Sequence, residues 1–176
     1  QVSTAELASW LNSTLDIARF KDYCPNGLQV EGKPYIGKLV TGVTASLALI
    51  DAAIARQADA ILVHHGWFWK NENPCIVGTR KTRIERVLSH QLNLLGYHLP
   101  LDAHPEFGNN AQLARQLGIE VLRDANGLAQ TCGPDGLVWL GELPAPVSLE
   151  TFGLTVCNNL QRKPLIVGDL QRKIRR

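Results

Sequence analysis

Hydrophobic and polar positions near the N terminus recur with the period of a helix. Ser3 and Glu6 have the spacing of a capping box, which is typical of the first turn of a helix. The apolar residues that follow on one helical face are Leu7, Trp10, Leu11, Leu15 and Ala18. The pattern predicts an amphipathic helix. A structured loop should follow it at residues 22–27, because Pro25 removes a backbone donor and the pair Asn26-Gly27 favours positive φ.

Apolar runs of strand length then alternate with segments of helical period. The elements predicted are a strand at 38–44, a helix capped by Ser46 and ending at Gln57, a buried strand at 59–63, a helix at 79–90, a strand at 93–97 and a helix capped by Asn109 or Asn110 and ending at Leu117. Strands that alternate with single helices imply a parallel sheet with helical crossovers. The sequence therefore predicts an α/β fold.

The pattern weakens after Gly118. Short strands are predicted at 121–122, 137–140 and 165–167, separated by turns rich in glycine and proline such as 133–136.

Composition narrows the class of protein. The 176 residues are 45% hydrophobic and 19% charged, with a net charge of +2, which excludes a disordered chain and makes nucleic acid an unexpected partner. No apolar run is long enough to cross a membrane, and no secretory signal precedes the first helix. The four cysteines form no Cys-x-x-Cys pair and indicate thiols in a reducing compartment. We expect a cytoplasmic protein that does not bind membranes.

Two adjacent histidines follow the buried strand at 59–63, where an open α/β sheet places its ligands. Neighbouring strand residues point to opposite faces, so His64 and His65 should converge only if the chain leaves extended geometry, which Gly66 permits. The alternative is one hydrogen-bonded core histidine beside one surface histidine.

A second group of candidate ligands follows the strand at 93–97. His98, Asp102 and His104 should emerge at the same edge of the sheet if the two strands are parallel. Imidazole and carboxylate are common ligands of Zn, Mn and Fe. His98 or His104 could orient a metal ligand without binding the metal itself. The two groups together predict a divalent-metal site that includes His64, His65 and Asp102.

Two further motifs allow two interpretations each. The aromatic run 67–69 could stack on a planar heterocycle, or it could pack beneath a loop or at a subunit interface. The segment 25–30 could bring polar groups to the site, or it could form only a tight turn. No Gly-x-Ser-x-Gly elbow and no glycine-rich phosphate loop is present, so nucleophilic serine catalysis has no support.

Several motifs together resemble a known family. They are Tyr23-Cys24-Pro25-Asn26-Gly27-Leu28-Gln29-Val30-Glu31-Gly32, Val40-Thr41-Gly42-Val43-Thr44, Val63-His64-His65-Gly66 through Trp69, His98-Leu99-Pro100-Leu101-Asp102-Ala103-His104 and Asn109-Asn110. In this order they resemble the NGG-interacting-factor-like family of dinuclear metal proteins, whose bacterial members are named type 2 GTP cyclohydrolase homologues. The resemblance runs over the whole chain.

The resemblance implies a mostly parallel α/β fold in two lobes. Residues 1–118 would form the lobe that carries the metal site, and residues 119–176 would begin the second part of the fold, which this chain leaves incomplete. It also implies a homo-oligomer, commonly a hexamer, and two divalent ions bound by His64, His65 and Asp102. The family's remaining ligands, a histidine and a glutamate spaced His-x-x-x-Glu near its C terminus, have no counterpart here, since no histidine follows His104.

Two functions fit these expectations. The first is a metal-dependent hydrolase in which metal-bound water attacks a small-molecule substrate, and the family name suggests opening of the imidazole ring of GTP. The second is a non-catalytic metal-binding ring that serves as a scaffold or binds a partner protein. Turnover of nucleotides by the metal-loaded protein would distinguish them.

Overall fold

A four-stranded sheet forms the centre of the first of two units in the computed structural model, which describes residues 1–133 and 136–176. This unit comprises residues 1–101. Its elements in chain order are β1 (Val2–Ser3), α1 (Thr4–Thr14), a 3-10 turn (Ile17–Arg19), β2 (Gly27–Val30), β3 (Tyr35–Ile36), β4 (Leu39–Thr44), α2 (Leu47–Ala55), β5 (Ala60–His65), α3 (Gly78–Ser89) and β6 (Asn93–Gly96).

The strand order in this sheet is β2-β6-β5-β4. The pairs β4–β5 and β5–β6 are parallel, with Val63 opposite Gly42 on one side and Gly96 on the other. The pair β2–β6 is antiparallel, and its register shifts between Leu28 and Val30. The prediction of a mostly parallel α/β sheet is confirmed, while the antiparallel edge strand β2 occupies a segment that the sequence pattern assigned to a loop and turn.

Helices cover both faces of the sheet. Ile50 of α2 and Val87 of α3 are fully buried with Ile61 and Val63 on one face. On the other face, Leu11 of α1 packs in a cluster whose other buried members are Ala8, Leu15, Ile36, Ala60, Leu95 and Tyr97. Because β5 and β6 are buried from both sides, their sequences read as nearly continuous apolar runs.

The N-terminal helix begins as its sequence predicts. The Ser3 side chain accepts a hydrogen bond from the Glu6 backbone N–H (3.2 Å), and the Ser3 N–H donates to the Glu6 carboxylate (3.1 Å). The predicted apolar face is wrong at Trp10, which is 60% exposed, and Ala8 takes its place among the buried residues.

The second unit comprises residues 102–176 and consists of helices and two-stranded pairs. Its elements are α4 (Leu99–Ala103), which begins in the first unit, α5 (Asn109–Leu117), β7 (Glu120–Val121), β8 (Thr131–Cys132), β9 (Val138–Trp139), β10 (Gly141–Glu142), β11 (Val147–Ser148), α6 (Leu149–Leu160) and β12 (Lys173–Ile174). The antiparallel pairs are β7–β10, β8–β9 and β11–β12.

The sequence pattern described this unit less well. No strand is found at 165–167 among the described residues, and Leu165 is 92% exposed there. The helix α6, capped by the Ser148 hydroxyl, was not predicted. The N-cap of α5 is Gly108 rather than Asn109 or Asn110. Of the predicted turn at 133–136, Pro134 and Asp135 lie outside the described residues. The first compact unit ends at Leu101, whereas the sequence pattern placed the boundary at residue 118.

Two other observations concern the chain as a whole. All four cysteines are thiols that take part in no disulfide within the described part of the chain. In residues 1–133 and 136–176, no helix has both the length and the apolar character that a membrane span requires.

Candidate metal centre

The two adjacent histidines are the last residues of β5, in the middle of the sheet. His65 still pairs with Thr44 of β4, so the strand remains regular through both residues. Their ring centroids nevertheless lie 4.4 Å apart. The expectation that convergence requires the chain to leave extended geometry is therefore wrong, since the rings converge while the strand pairing continues.

His98 joins these two residues from the end of β6. Its ring centroid lies 5.1 Å from that of His64 and 5.7 Å from that of His65. Each ring offers a nitrogen, and these three nitrogens lie within 4.8 Å of one another. We call His64, His65 and His98 the histidine cluster. It forms because β5 and β6 are parallel neighbours and end at one edge of the sheet.

Hydrogen bonds define the state of two of these rings. The Nδ1 atom of His64 lies 3.1 Å from the carbonyl oxygen of Tyr97, and Nδ1 of His98 lies 2.8 Å from Oδ1 of Asp22. Both acceptors lack a proton to donate, so each Nδ1 carries the hydrogen, and in a neutral ring the lone pair is then on Nε2. The third ring has a longer contact, 3.4 Å from Nδ1 of His65 to the Thr44 hydroxyl.

The cluster fits a divalent metal ion. Neutral imidazoles held by a carbonyl or carboxylate at the second nitrogen are typical metal ligands. Two donors about 2.1 Å from one ion can be at most about 4.2 Å apart, so small side-chain rotations would bring the three nitrogens into range. All three residues are half-buried, which leaves the site accessible from solvent.

Gln29 fixes the chain that leaves the histidines. Its Oε1 accepts a hydrogen bond from the Trp67 N–H (2.7 Å), and its Nε2 donates to the carbonyl oxygens of Pro25 (2.8 Å) and Trp67 (3.3 Å). The Trp67 indole donates in turn to the carbonyl of Ala45 (3.0 Å). Segment 25–30 thus brings polar groups to the site edge, as one of its two interpretations predicted.

Trp69 packs directly against the cluster. Its ring lies edge-on to His98, with centroids 4.9 Å apart and planes at 82°, and 6.0 Å from the ring of His65. Its indole N–H donates to the Gly66 carbonyl (3.0 Å). These contacts support a packing role for Trp69, whereas stacking on a heterocycle stays a prediction.

The other predicted residues belong to the second unit. Asp102 lies in α4 and accepts a hydrogen bond from the Asn109 amide (2.8 Å). Its convergence with His64 and His65 stays a prediction. His104 uses Nδ1 to accept the N–H groups of Glu106 and Phe107, and its ring stacks on Phe107 with centroids 4.9 Å apart. That arrangement gives His104 a local role in its own turn.

Sequence reasoning missed Asp22 and Cys24. Both lie in the loop before β2, and each offers a donor atom within 4.8 Å of a nitrogen of His98. Burial, followed by the nearby charge of Asp22, raises the pKa of the Cys24 thiol to about 11, so in the metal-free chain the sulfur stays protonated at neutral pH. Only the position of the loop beside His98, which its sequence does not reveal, identifies these residues.

Comparison with known proteins identifies the family of this chain. A family model described as Duf34/NIF3 (NGG1p interacting factor 3) matches residues 2–176. The chain belongs to the Duf34/NIF3 family. The resemblance found in the sequence motifs is confirmed.

Curated members of the Duf34/NIF3 family are similar over almost the whole chain. A Pseudomonas aeruginosa protein named GTP cyclohydrolase 1 type 2 homolog is 50% identical over 175 residues, which cover 99% of this chain and 68% of the relative. A protein of the same name from Neisseria meningitidis serogroup B is 50% identical, with 97% and 66% covered. The chain thus spans about two thirds of the length of these relatives.

Solved structures share the fold. A structural genomics structure titled protein ybgI, unknown function, is 48% identical with a TM-score of 0.85, covering 93% of this chain and 63% of that one. The protein TTHA1606 from Thermus thermophilus is 33% identical with a TM-score of 0.80, covering 99% and 69%. The α/β fold is therefore that of the Duf34/NIF3 family.

Proposed function

We propose that this chain carries part of the divalent-metal site of a metal-dependent hydrolase. The observation that supports it best is the histidine cluster at the carboxyl ends of two parallel strands, with three ring nitrogens within 4.8 Å of one another. Ligands of open α/β sheets usually bind at this edge, where the parallel strands end. Packing alone gives no reason to gather three imidazoles there.

The proposed ligands are His64, His65 and Asp102, and His98 is a further candidate because its ring nitrogen lies within 4.8 Å of nitrogens of His64 and His65. The Nδ1 contact of His64 with the Tyr97 carbonyl assigns coordination to its Nε2. Asp102 enters through the family resemblance, which also implies two ions and further ligands. Zinc, manganese and iron all accept imidazole and carboxylate, so the ligand types fit each of them.

The chemistry follows from the type of site. A divalent ion bound there would polarise a carbonyl or ring group and acidify a water molecule. The residues of this chain hold and shield that position. Gln29 fixes the backbone at Trp67, and the Trp69 ring covers one side of His98 and His65. A partly closed apolar wall reduces the dielectric constant around the imidazoles and strengthens their interaction with a cation.

A guanine nucleotide is the proposed substrate. The relatives are named GTP cyclohydrolase 1 type 2 homologs, and that name suggests hydrolytic opening of the purine imidazole ring. The exposed part of Trp69 would offer a surface against which a planar base could stack. We further propose that the whole protein forms a homo-oligomer, for which a hexamer is the state that the resemblance implies. Light scattering tests the oligomer, and a monomer at micromolar concentration would contradict it.

The function is tested by comparing two histidine variants. His65→Ala should reduce both the divalent metal content, measured by elemental analysis, and nucleotide turnover by at least about 100-fold, because it removes a proposed ligand. His90→Ala is the matched control, since His90 is exposed at the end of α3 and its Nδ1 contacts only Ser89 and Arg86 in the hydrogen bonds described. Normal metal content in the His65→Ala protein would contradict the metal site. Full metal content in the unaltered protein with no turnover across a nucleotide panel would favour the scaffold.

A further inference from the structure

Asp22 lies next to His98 and accepts a hydrogen bond from its Nδ1. We propose that Asp22 is a positioning residue that fixes His98 in the tautomer with Nδ1 protonated, so that His98 presents the lone pair of Nε2 to the histidine cluster. The tautomer follows from contacts within the first unit alone. Its consequence for metal binding rests on the proposed function.

The Asp22 carboxylate is surrounded by N–H groups. Its side chain is only 2% exposed. It accepts four hydrogen bonds, from the backbone N–H of Tyr23 (2.6 Å) and Nδ1 of His98 (2.8 Å) at Oδ1, and from the Asn26 amide (2.9 Å) and the backbone N–H of Leu99 (2.9 Å) at Oδ2. Burial raises the pKa of this carboxyl, but the four donors lower it by more, and the net shift is downward. Asp22 is therefore ionised at neutral pH and acts only as an acceptor.

Asn26 cannot exchange its two amide groups. Its Oδ1 accepts the backbone N–H of His98 (2.7 Å), while its Nδ2 donates to Asp22. A rotation of the amide by 180° would place donor against donor at His98 and acceptor against acceptor at Asp22. The loop before β2 thus presents a fixed pattern of partners to the start of the segment after β6.

This pattern makes the substitution Asp22→Asn informative. An amide nitrogen at the Oδ2 position would face two donors, the Leu99 N–H and the locked Asn26 amide, and neither can become an acceptor. At the Oδ1 position it would face the Tyr23 N–H and Nδ1 of His98. Only His98 can adapt, by moving its proton to Nε2, so we expect the variant to adopt that orientation and reverse the tautomer of His98.

Nuclear magnetic resonance of the 15N-labelled, chelator-treated chain reads the tautomer directly. At about pH 8, where an ordinary imidazole is neutral, His98 should show a protonated Nδ1 and an unprotonated Nε2. The Asp22→Asn variant should show the reverse. A protonated Nε2 in the unaltered chain, or an unchanged tautomer in a folded Asp22→Asn variant, would overturn the proposal. The measurement on the unaltered chain decides the question even if the variant does not fold.

Asp59→Asn is the matched control. Asp59 likewise accepts two backbone N–H groups and one side-chain donor, but it lies at the opposite end of the sheet. This variant should leave the His98 tautomer unchanged. A reversal in Asp59→Asn would overturn the assignment of tautomer control to Asp22.

Calorimetric titration of Zn²⁺ or Mn²⁺ into the protein shows whether the lone pair on Nε2 of His98 contributes to metal binding. Asp22→Asn should weaken binding about tenfold or more, as removal of a hydrogen-bond partner of a metal-site histidine commonly does, and Asp59→Asn should change it by less than about twofold. In a His98→Ala background, Asp22→Asn should have no further effect, because its action passes through His98. Equal additional losses in both backgrounds would show a merely structural role. If the unaltered protein binds no ion, the proposed function fails, whereas the tautomer measurement still decides the role of Asp22.

Discussion

The two ends of the parallel sheet both carry polar clusters, but the clusters are built differently. At the end where β5 and β6 begin, Asn93 is completely buried and all its amide groups have partners within the backbone and Thr4. At the end where these strands stop, imidazoles are half-buried and their nitrogens approach one another.

The beginning of the sheet is closed by reciprocal hydrogen bonds. The Asn93 amide nitrogen donates to the carbonyl oxygens of Lys33 (2.9 Å) and Asp59 (3.1 Å), while its oxygen accepts the Gly32 N–H (2.8 Å). Asp59 accepts Lys33 Nζ and the N–H groups of Gly37 and Lys38. These bonds join three segments that are distant in sequence, 32–38, 59 and 93, and all of them except the Lys33–Asp59 ion pair involve a backbone group.

At the opposite end, one backbone carbonyl and two side chains hold the imidazole rings. Tyr97 and Thr44 contact the Nδ1 atoms of His64 and His65, and Asp22 contacts that of His98. These partners contact the Nδ1 side of each ring, and the three rings lie next to one another. A polar cluster whose groups are hydrogen-bonded to the backbone stabilises the fold. A cluster whose rings are held at one nitrogen keeps the other nitrogen for a ligand, at some cost in stability.

Removal of Asn93 should produce the largest loss of stability. Asn93→Ala leaves the Gly32 N–H buried without its acceptor and opens a cavity at a fully buried position. The Lys33 carbonyl keeps the Thr4 hydroxyl and the Asp59 carbonyl keeps the backbone N–H of residue 93. We expect a loss of about 3 kcal/mol in the free energy of unfolding. Denaturant titration followed by circular dichroism measures it. Metal binding per folded molecule should be unchanged. A loss below about 1 kcal/mol would remove the distinction between the two ends.

Two glycine substitutions compare how the ends are closed. A Cβ on Gly32 would collide with backbone atoms of Gln91 and Leu92, which cannot move aside, and Gly32→Ala should cost about 3 kcal/mol. The atoms nearest to a Cβ on Gly66 would be those of the Gln29 side-chain amide, which can rotate away. Gly66→Ala should cost about 1 kcal/mol and weaken metal binding, because Gln29 would release Trp67. Thermal unfolding of both variants should show this order, and the reverse order would contradict it.

Acid should weaken the beginning of the sheet through Asp59. The hydrogen bond from Lys33, followed by that from the Gly37 N–H, holds the pKa of this carboxyl at about 2, below its ordinary value of 3.8. A depressed carboxyl pKa stabilises the folded state above the unfolded pKa, and this contribution is lost as the pH falls from about 4 to about 2. Because the ion pair is partly exposed, we expect about 1 kcal/mol. The stability difference between the unaltered chain and Asp59→Asn should disappear near pH 2, and a constant difference would refute the assignment.

Removal of a cluster histidine should have the smallest effect on stability. His65 is half-buried at the end of a strand, so the metal-free His65→Ala variant should unfold within about 0.5 kcal/mol of the unaltered chain. Added Zn²⁺ should raise the melting temperature of the unaltered chain much more than that of the variant. A large loss in the metal-free state would mean that the cluster stabilises the fold, as the Asn93 cluster does.

Contiguous sequence was sufficient for the parallel core and for naming all three cluster residues as candidates, His98 among them as a residue that could orient a ligand. The apolar run at 60–63 predicted a buried strand, and its position before His64 and His65 predicted a ligand site, because periodicity and strand-end location are properties of neighbouring residues. The capping box at Ser3 was equally local. In the second unit, by contrast, strands of two residues are too short to show a hydrophobic period, and the helix α6 was missed.

Only the tertiary structure revealed which distant residues act together. Asp22 and His98 are separated by 76 positions and Gln29 and Trp67 by 38, and no local pattern relates either pair. The antiparallel pairing of β2 with β6 brings Asp22 beneath His98, and it depends on how a loop with turn residues folds back along a strand. The sequence by itself therefore determined the strand ends and the types of ligand. Packing decided the hydrogen-bond partners, since the free energy of a buried polar contact depends on both of the segments that it joins.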